Sequence, residues 1–315
     1  MRPALLILSL ALVAKAGWLP VTGYVTDSRT GTLRPINGLP GASLLGPPLS
    51  LPFTIDQAQV CAGKDFAIAL ESAESKQVWL IRGLRSGNVI AAKLDGVFAD
   101  RIRLNAPCTA ALLYSQTSAT AQFLTGLPDQ PSASDPMLAG AIGIVAAMEL
   151  SSDASTALIS FSDPAAGGVY LLTPSAFGPA QIATAVQPVA MSFLNGDHDA
   201  LVADGATGEV FEIRGIQTDK TRQPLLSLQD GLKQPAGVRV IGNRTLFVAD
   251  AGANVIFEMD LVTGAMSNQV PVAGVPTRID ALALPDAFAL TDAGLGQLLL
   301  LDTSQGRNVV FVPLD

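Results

Sequence analysis

The chain has 315 residues, 49% hydrophobic and 15% charged, so it can bury a large core and is not disordered. Its formal net charge is −8 and its pI about 4.6. That balance speaks against nucleic acid as a partner, because phosphate binding needs clustered Lys and Arg. The nearest thing to a basic cluster, Arg101 and Arg103, has Asp100 beside it and reads as a solvated strand edge.

The first segment reads as an address. Arg2 supplies a positive start, Ala4 to Val13 an apolar stretch, and Ala14-Lys15-Ala16 an A-x-A cleavage site. A signal peptide is expected over 1–16, with the cut between Ala16 and Gly17, followed by one domain over 17–315. A bilayer span needs about 20 apolar residues, and Lys15 ends this run too early. No later segment is long and apolar enough, so no transmembrane segment is expected once the signal is removed. The expected location is periplasmic or secreted. An exported chain with an even cysteine count permits a disulfide between Cys61 and Cys108. Two separate buried thiols are the alternative.

From Asp27 onward a unit recurs about every 44 residues. A short apolar run ends at a small or acidic marker: Asp27, Glu71, Ser115, Ser162, Asp204, Asp250 and Asp292. Nine residues beyond each marker stands an aliphatic side chain: Ile36, Leu80, Leu124, Leu171, Ile213, Met259 and Leu301. The first copy is irregular, because Gly23–Asp27 and Thr32–Ile36 fit a second and third strand with little chain left for a first. The last three copies open on Pro188, Pro235 and Pro276, which suit the start of a strand. Their markers are followed by turns rich in Gly, Ala and Asn, residues that tolerate positive φ. In the clearest copy the predicted strands are 237–241, 245–249, 255–260 and 268–272. Leu298 to Leu301 is apolar throughout, as in strands buried on both faces.

Short strands in tandem copies of this period predict an all-β fold, a seven-bladed β-propeller of four-stranded antiparallel blades with an irregular first blade. An outer-membrane barrel fits less well: only 5% of residues are aromatic and the strands do not alternate. Closure is expected to use Gly17 to Val25 against the C-terminal blade.

The unit Pro-x-x-x-(apolar) followed by Leu246-Phe247-Val248-Ala249-Asp250-Ala251-Gly252 and Asn254-x-Ile256 resembles the repeat of NHL-type and YVTN-type β-propellers. Residues 235–260 carry the resemblance best, 188–213 and 276–301 well, and earlier copies by spacing and pattern. Arg34 to Ala42 looks like a segment near the start of some exported bacterial propellers of unknown role. The resemblance implies the fold and little function, since such propellers include enzymes, binders and scaffolds.

Catalytic side chains are sparse. His198 is the one histidine, in a predicted turn between Asp197 and Asp199. It reads as an exposed turn residue rather than a general base. No Gly-x-Ser-x-Gly elbow accompanies it. The acidic markers Asp27, Glu71, Asp204, Asp250 and Asp292 should share one rim of the ring. There they could offer oxygen ligands to a hard cation, or accept hydrogen bonds from the turns that follow them. The second role fits the sequence better, because neighbouring blades hold the carboxylates apart. Trp18 and Trp79 are candidate binding aromatics, although Trp79 sits in a third strand and is expected between blades. No metal and no cofactor is expected. The function expected is an exported binding or scaffold module for a protein, peptide or glycan. The alternatives are a metal-dependent hydrolase or lyase, lactonase-like, at the central channel, and a ring docking through an apolar patch, suggested by a mean hydropathy of +0.40.

Overall fold

The computed structural model describes residues 20–61, 63–139, 144–163, 167–174, 178–194, 196–242 and 244–313. The expected signal segment 1–16, its cut at Ala16 and Gly17, and Trp18 lie outside the described residues. Seven antiparallel sheets form seven blades, with chain order equal to spatial order in each. The sixth is representative: Pro235–Ile241, Thr245–Asp250, Val255–Asp260 and Ala265–Pro271, from the innermost strand outward. The third blade has its outer lane split into Ser132–Ala133 and Met137–Leu138.

The ring closes because each blade is apolar on both faces. Seven separate apolar clusters occur, one between each pair of neighbouring blades. In the second strand of blade six, Leu246 and Val248 pack toward blade five while Phe247 and Ala249 pack toward blade seven. In blade seven, Leu298 and Leu300 pack toward blade one, and Leu299 and Leu301 toward blade six. Successive side chains of a strand point to opposite faces. An unbroken leucine run therefore serves two interfaces at once. Each fully buried leucine contributes about 2 kcal/mol through burial alone.

All seven aliphatic check positions fall in the strand that follows their marker, the third of a four-stranded blade and the second described strand of blade one, and six are buried, with Leu171 partly so. The hairpin after the marker has a physical cause. The residue four beyond the marker is left-handed at Gly31, Ala119, Gly208 and Asn254, with φ of 63°, 52°, 66° and 55°. Glycine and asparagine adopt that conformation at little cost.

Blades one and seven depart from the rule. Among the described residues blade one has three strands, Val21–Asp27, Thr32–Leu39 and Ala42–Leu45, and the first of these corresponds to the second strand elsewhere. Blade seven has an innermost strand of two residues, Asp280–Ala281, which begins four residues after Pro276. Its second strand, Ala287–Ala289, stops before Asp292, which instead caps the short 3-10 turn Ala293–Leu295. The early stop follows from Thr291. Its hydroxyl donates to the Gln297 carbonyl at 2.6 Å and accepts from Leu299 N–H at 2.9 Å, replacing ladder contacts.

Among the described strands, closure comes from face packing rather than from a strand shared between the chain ends. Val25, Ile36 and Leu45 pack against Leu282, Leu298 and Leu300. Leu284 N–H donates to the Thr22 carbonyl at 3.2 Å. At the rim, Gly294 lies so close to blade one that a Cβ there would fall 2.3 Å from Ser28 Oγ and 2.5 Å from Arg29 N. The Val21–Val25 half of the expected closing segment thus meets blade seven, through side chains and one backbone hydrogen bond rather than by a strand ladder.

Candidate functional site

The acidic markers that the sequence singles out are mostly tied to backbone N–H groups. Asp204 is buried and accepts from the N–H groups of Val186, Gln187, Ala206 and Thr207 at 2.7, 3.1, 3.0 and 3.3 Å. Asp250 is buried too and accepts from Lys233, Gln234 and Ala253 at 2.5, 3.1 and 2.8 Å. Each carboxylate ties the turn after the second strand to the segment leading into the first. Asp27 accepts from Arg29 N–H at 3.2 Å and lies 3.6 Å from Arg34. Glu71 accepts from the Trp79 indole at 3.3 Å. Asp292 accepts from Gly294 N–H at 2.7 Å and from Ser28 Oγ at 3.0 Å, across the blade seven to blade one seam. The markers share a rim by topology but do not converge. Among the described residues no group of three His, Cys, Asp or Glu side chains could hold a metal ion.

His198 is exposed in the turn before the second strand of blade five. Its neighbour Asp197 accepts from Ser152 N–H at 2.8 Å, so it serves the contact with blade four. Trp79 is buried and stacks on Phe53 at 4.3 Å between centroids. Phe53 belongs to the connection from blade one, so the ring is packed between blades. Cys61 and Cys108 are joined as a disulfide, Cα to Cα 5.9 Å. It links the loop after the innermost strand of blade two to the same loop of blade three.

The convergent chemistry lies in the central channel, on innermost strands. Arg103 of blade three meets Glu149 of blade four, with Nη2 and Nε at 2.5 and 2.8 Å from one carboxylate oxygen. Arg278, just before the short innermost strand of blade seven, lies 3.4 Å from Asp280 through Nε and donates to the Thr291 carbonyl at 3.0 Å. Arg239 of blade six completes the set. Gln57 and Gln59 of blade two act as a substitute strand edge. Gln57 exchanges hydrogen bonds with the Ile102 backbone at 3.2 and 3.1 Å, and Gln59 accepts from Leu104 N–H at 2.8 Å.

The placement has a regular basis. Gln59, Arg103 and Arg239 pair with Ile68, Leu112 and Phe247, each three residues before its marker. Equivalent positions on three blades therefore point into one channel. Arg103 is thus not the solvated strand edge expected from Asp100 and Arg101; Arg101 is exposed, whereas Arg103 is turned inward onto Glu149. The sequence signal was a charged residue inside an otherwise apolar innermost strand, as in Gly237-Val238-Arg239-Val240.

Electrostatics follow from burial. Desolvation pushes the Glu149 carboxyl above its ordinary value, against the pull of Arg103. For Arg103, desolvation acts to lower its value and is outweighed by Glu149 and Asp280, so the guanidinium stays charged. Arg239 is lowered, first by desolvation and then by repulsion from Arg103. We read the Arg103–Glu149 pair as ionised at neutral pH, because two short contacts fix it and the guanidinium does not titrate there.

Two adjoining cavities occupy the channel, about 160 and 220 Å³, and share Gln59, Arg103, Arg278 and Asp280. The first extends beneath blade one, where no innermost strand stands among the described residues. Tyr24, Val25, Thr26 and Leu33 line it there. One wall is therefore apolar and the other charged.

No protein-family model matches the sequence, and no curated protein does. Solved structures do resemble the fold. A protein of unknown function from Desulfotomaculum acetoxidans aligns over 94% of this chain and 100% of its own, at TM-score 0.65 and 11% identity. Hydrazine synthase of Kuenenia stuttgartiensis aligns over 94% and 99%, at 0.64 and 11%. A provisional 6-phosphogluconolactonase of Bacteroides fragilis aligns over 93% and 92%, at 0.61 and 12%. At these identities the likeness is one of fold: this chain is a seven-bladed β-propeller.

Proposed function

We propose that the chain is an exported binding or scaffold module, periplasmic or secreted, that holds a protein, peptide or glycan on one face of the ring. The observation that carries this reading is the chemistry of the channel. Glu149 is held by Arg103 through two short contacts, and Asp280 lies 3.4 Å from Arg278. A carboxylate held as Glu149 is acts as a fixed recognition feature rather than a free ligand or base. The rim carboxylates Asp204 and Asp250 are likewise committed to backbone N–H groups. Exported character rests on the sequence pattern of residues 1–16.

Capture with the purified mature protein from an envelope extract, followed by recombination of the purified partner, tests the reading. A saturable one-to-one complex supports it. Turnover of a substrate without any partner overturns it. The rival reading, metal-dependent lactonase-like hydrolysis, has the fold likeness to the Bacteroides protein behind it. It predicts metal in the purified protein and a lower melting temperature after chelation. The channel's donor set, three guanidiniums against two carboxylates, fits an anion better than a hard cation.

A further inference from the structure

Arg239 is the channel arginine left over. Arg103 has Glu149 and Arg278 lies 3.4 Å from Asp280, whereas among the described residues no ion pair joins Arg239 to a carboxylate; its Nε, like that of Arg278, is buried without a hydrogen-bond partner. A buried guanidinium nitrogen without a partner is costly unless something satisfies it. The surplus is one positive charge, inside a protein whose net charge is −8. A channel of the opposite sign to its protein is built for a specific anion rather than for general attraction.

The neighbouring wall sets the rest of the ligand. Arg239 and Glu149 line the same 160 Å³ cavity as Tyr24, Val25, Leu33 and Leu282. A ligand with one negative charge and an apolar stem matches both walls. A planar carboxylate also suits the guanidinium fork, which grips two oxygens at once. A phosphate dianion would overcompensate the single surplus charge.

We propose that the channel binds a carboxylate borne on a short apolar stem, with Arg239 as its anchor and the Tyr24 to Leu33 wall as the seat of the stem. The proposal rests on the binding-module reading and names the group that such a module grips. The carboxylate has two sources, a free short-chain acid or the C-terminus of a peptide.

The test is calorimetric titration of the mature protein in a chloride buffer. One arm uses hexanoate, with hexanamide and inorganic phosphate as controls. The other uses a tripeptide ending in leucine and valine, with a free or an amidated C-terminus. Saturable binding of the free carboxylate in either arm is expected, with the amide and phosphate at least tenfold weaker. Arg239→Gln should weaken binding roughly ten- to hundredfold without lowering the melting temperature, because it removes an unpaired charge. Arg239→Lys should restore part of the affinity and guards against a folding artefact. The proposal is overturned by no saturation up to about 10 mM in both arms, by phosphate binding as tightly as carboxylate, or by undiminished binding in Arg239→Gln. Should an envelope partner still bind in any of these cases, the carboxylate site falls and the binding module stands.

Discussion

Asp204 and Asp250 show what a single repeated side chain does in this ring. Each is buried and satisfies three or four backbone N–H groups that no strand ladder reaches. Removing such an acceptor leaves those donors orphaned in a dry site. Asp204→Ala or Asp250→Ala should each cost about 3 kcal/mol in urea unfolding, whereas His198→Ala should stay within about 0.5 kcal/mol. A cost below about 1 kcal/mol for both aspartates would remove the capping role. The turn half of this role was legible, because Asp before a Gly- and Ala-rich turn accepts from N–H groups two and three residues on. The other half was not. The N–H groups of Val186 and Gln187 lie far back along the chain, and only the folded blade brings them to Asp204. Arg239 was hidden for the same reason: one charge in a predicted strand acquires meaning only when other strands face it across a channel.

At the scale of strands and loops, two cross-blade ties lend themselves to measurement. The Cys61–Cys108 bond closes a span of 47 residues. Loop-closure entropy for that length makes the oxidised form about 4 kcal/mol more stable than the reduced form or the Cys61→Ser variant. Unfolding with and without reductant checks this, and equal midpoints would exclude a structural disulfide.

The second tie joins the innermost strands of blades three and four through Arg103 and Glu149. Burial raises the Glu149 carboxyl above its ordinary 4.5. A carboxyl raised on folding takes up its proton first in the folded state. Its contribution is therefore complete below about 4.5 and is lost as pH rises through the raised value. Wild type should gain stability relative to Glu149→Gln as pH falls toward 4.5. Parallel unfolding series at several pH values read that difference directly, and a flat difference would reject the raised carboxyl. Strand existence was readable because the apolar runs are long and recur. Blade seven escaped the pattern because Thr291 spends its hydroxyl on ladder positions and ends the second strand early.

For the whole molecule, the repeat predicted seven blades and an irregular first one, and both are present. What repetition could not convey is the seam, because a repeat treats every interface as alike. Blade one meets blade seven through side chains and through Gly294, pressed against the Ser28–Arg29 turn. Gly294→Ala forces a Cβ into backbone that cannot retreat. It should destabilise the ring by about 2 kcal/mol and raise hydrogen exchange first at Val21–Asp27 and Leu298–Asp302. Uniform exchange across all blades would show that the seam is no weaker than the other six interfaces.

Among the described residues blade one lacks an innermost strand, and that bears on counting. Seven like blades around one axis would present a ligand with seven equivalent seats, a statistical gain of about 1 kcal/mol in apparent affinity and no control of direction. A single odd lane removes that multiplicity. It leaves one azimuth at which an apolar stem and its charged head can both be accommodated. For the carboxylate site proposed above, the expected stoichiometry is one per ring, with the charged head at Arg239 fixing the direction of entry.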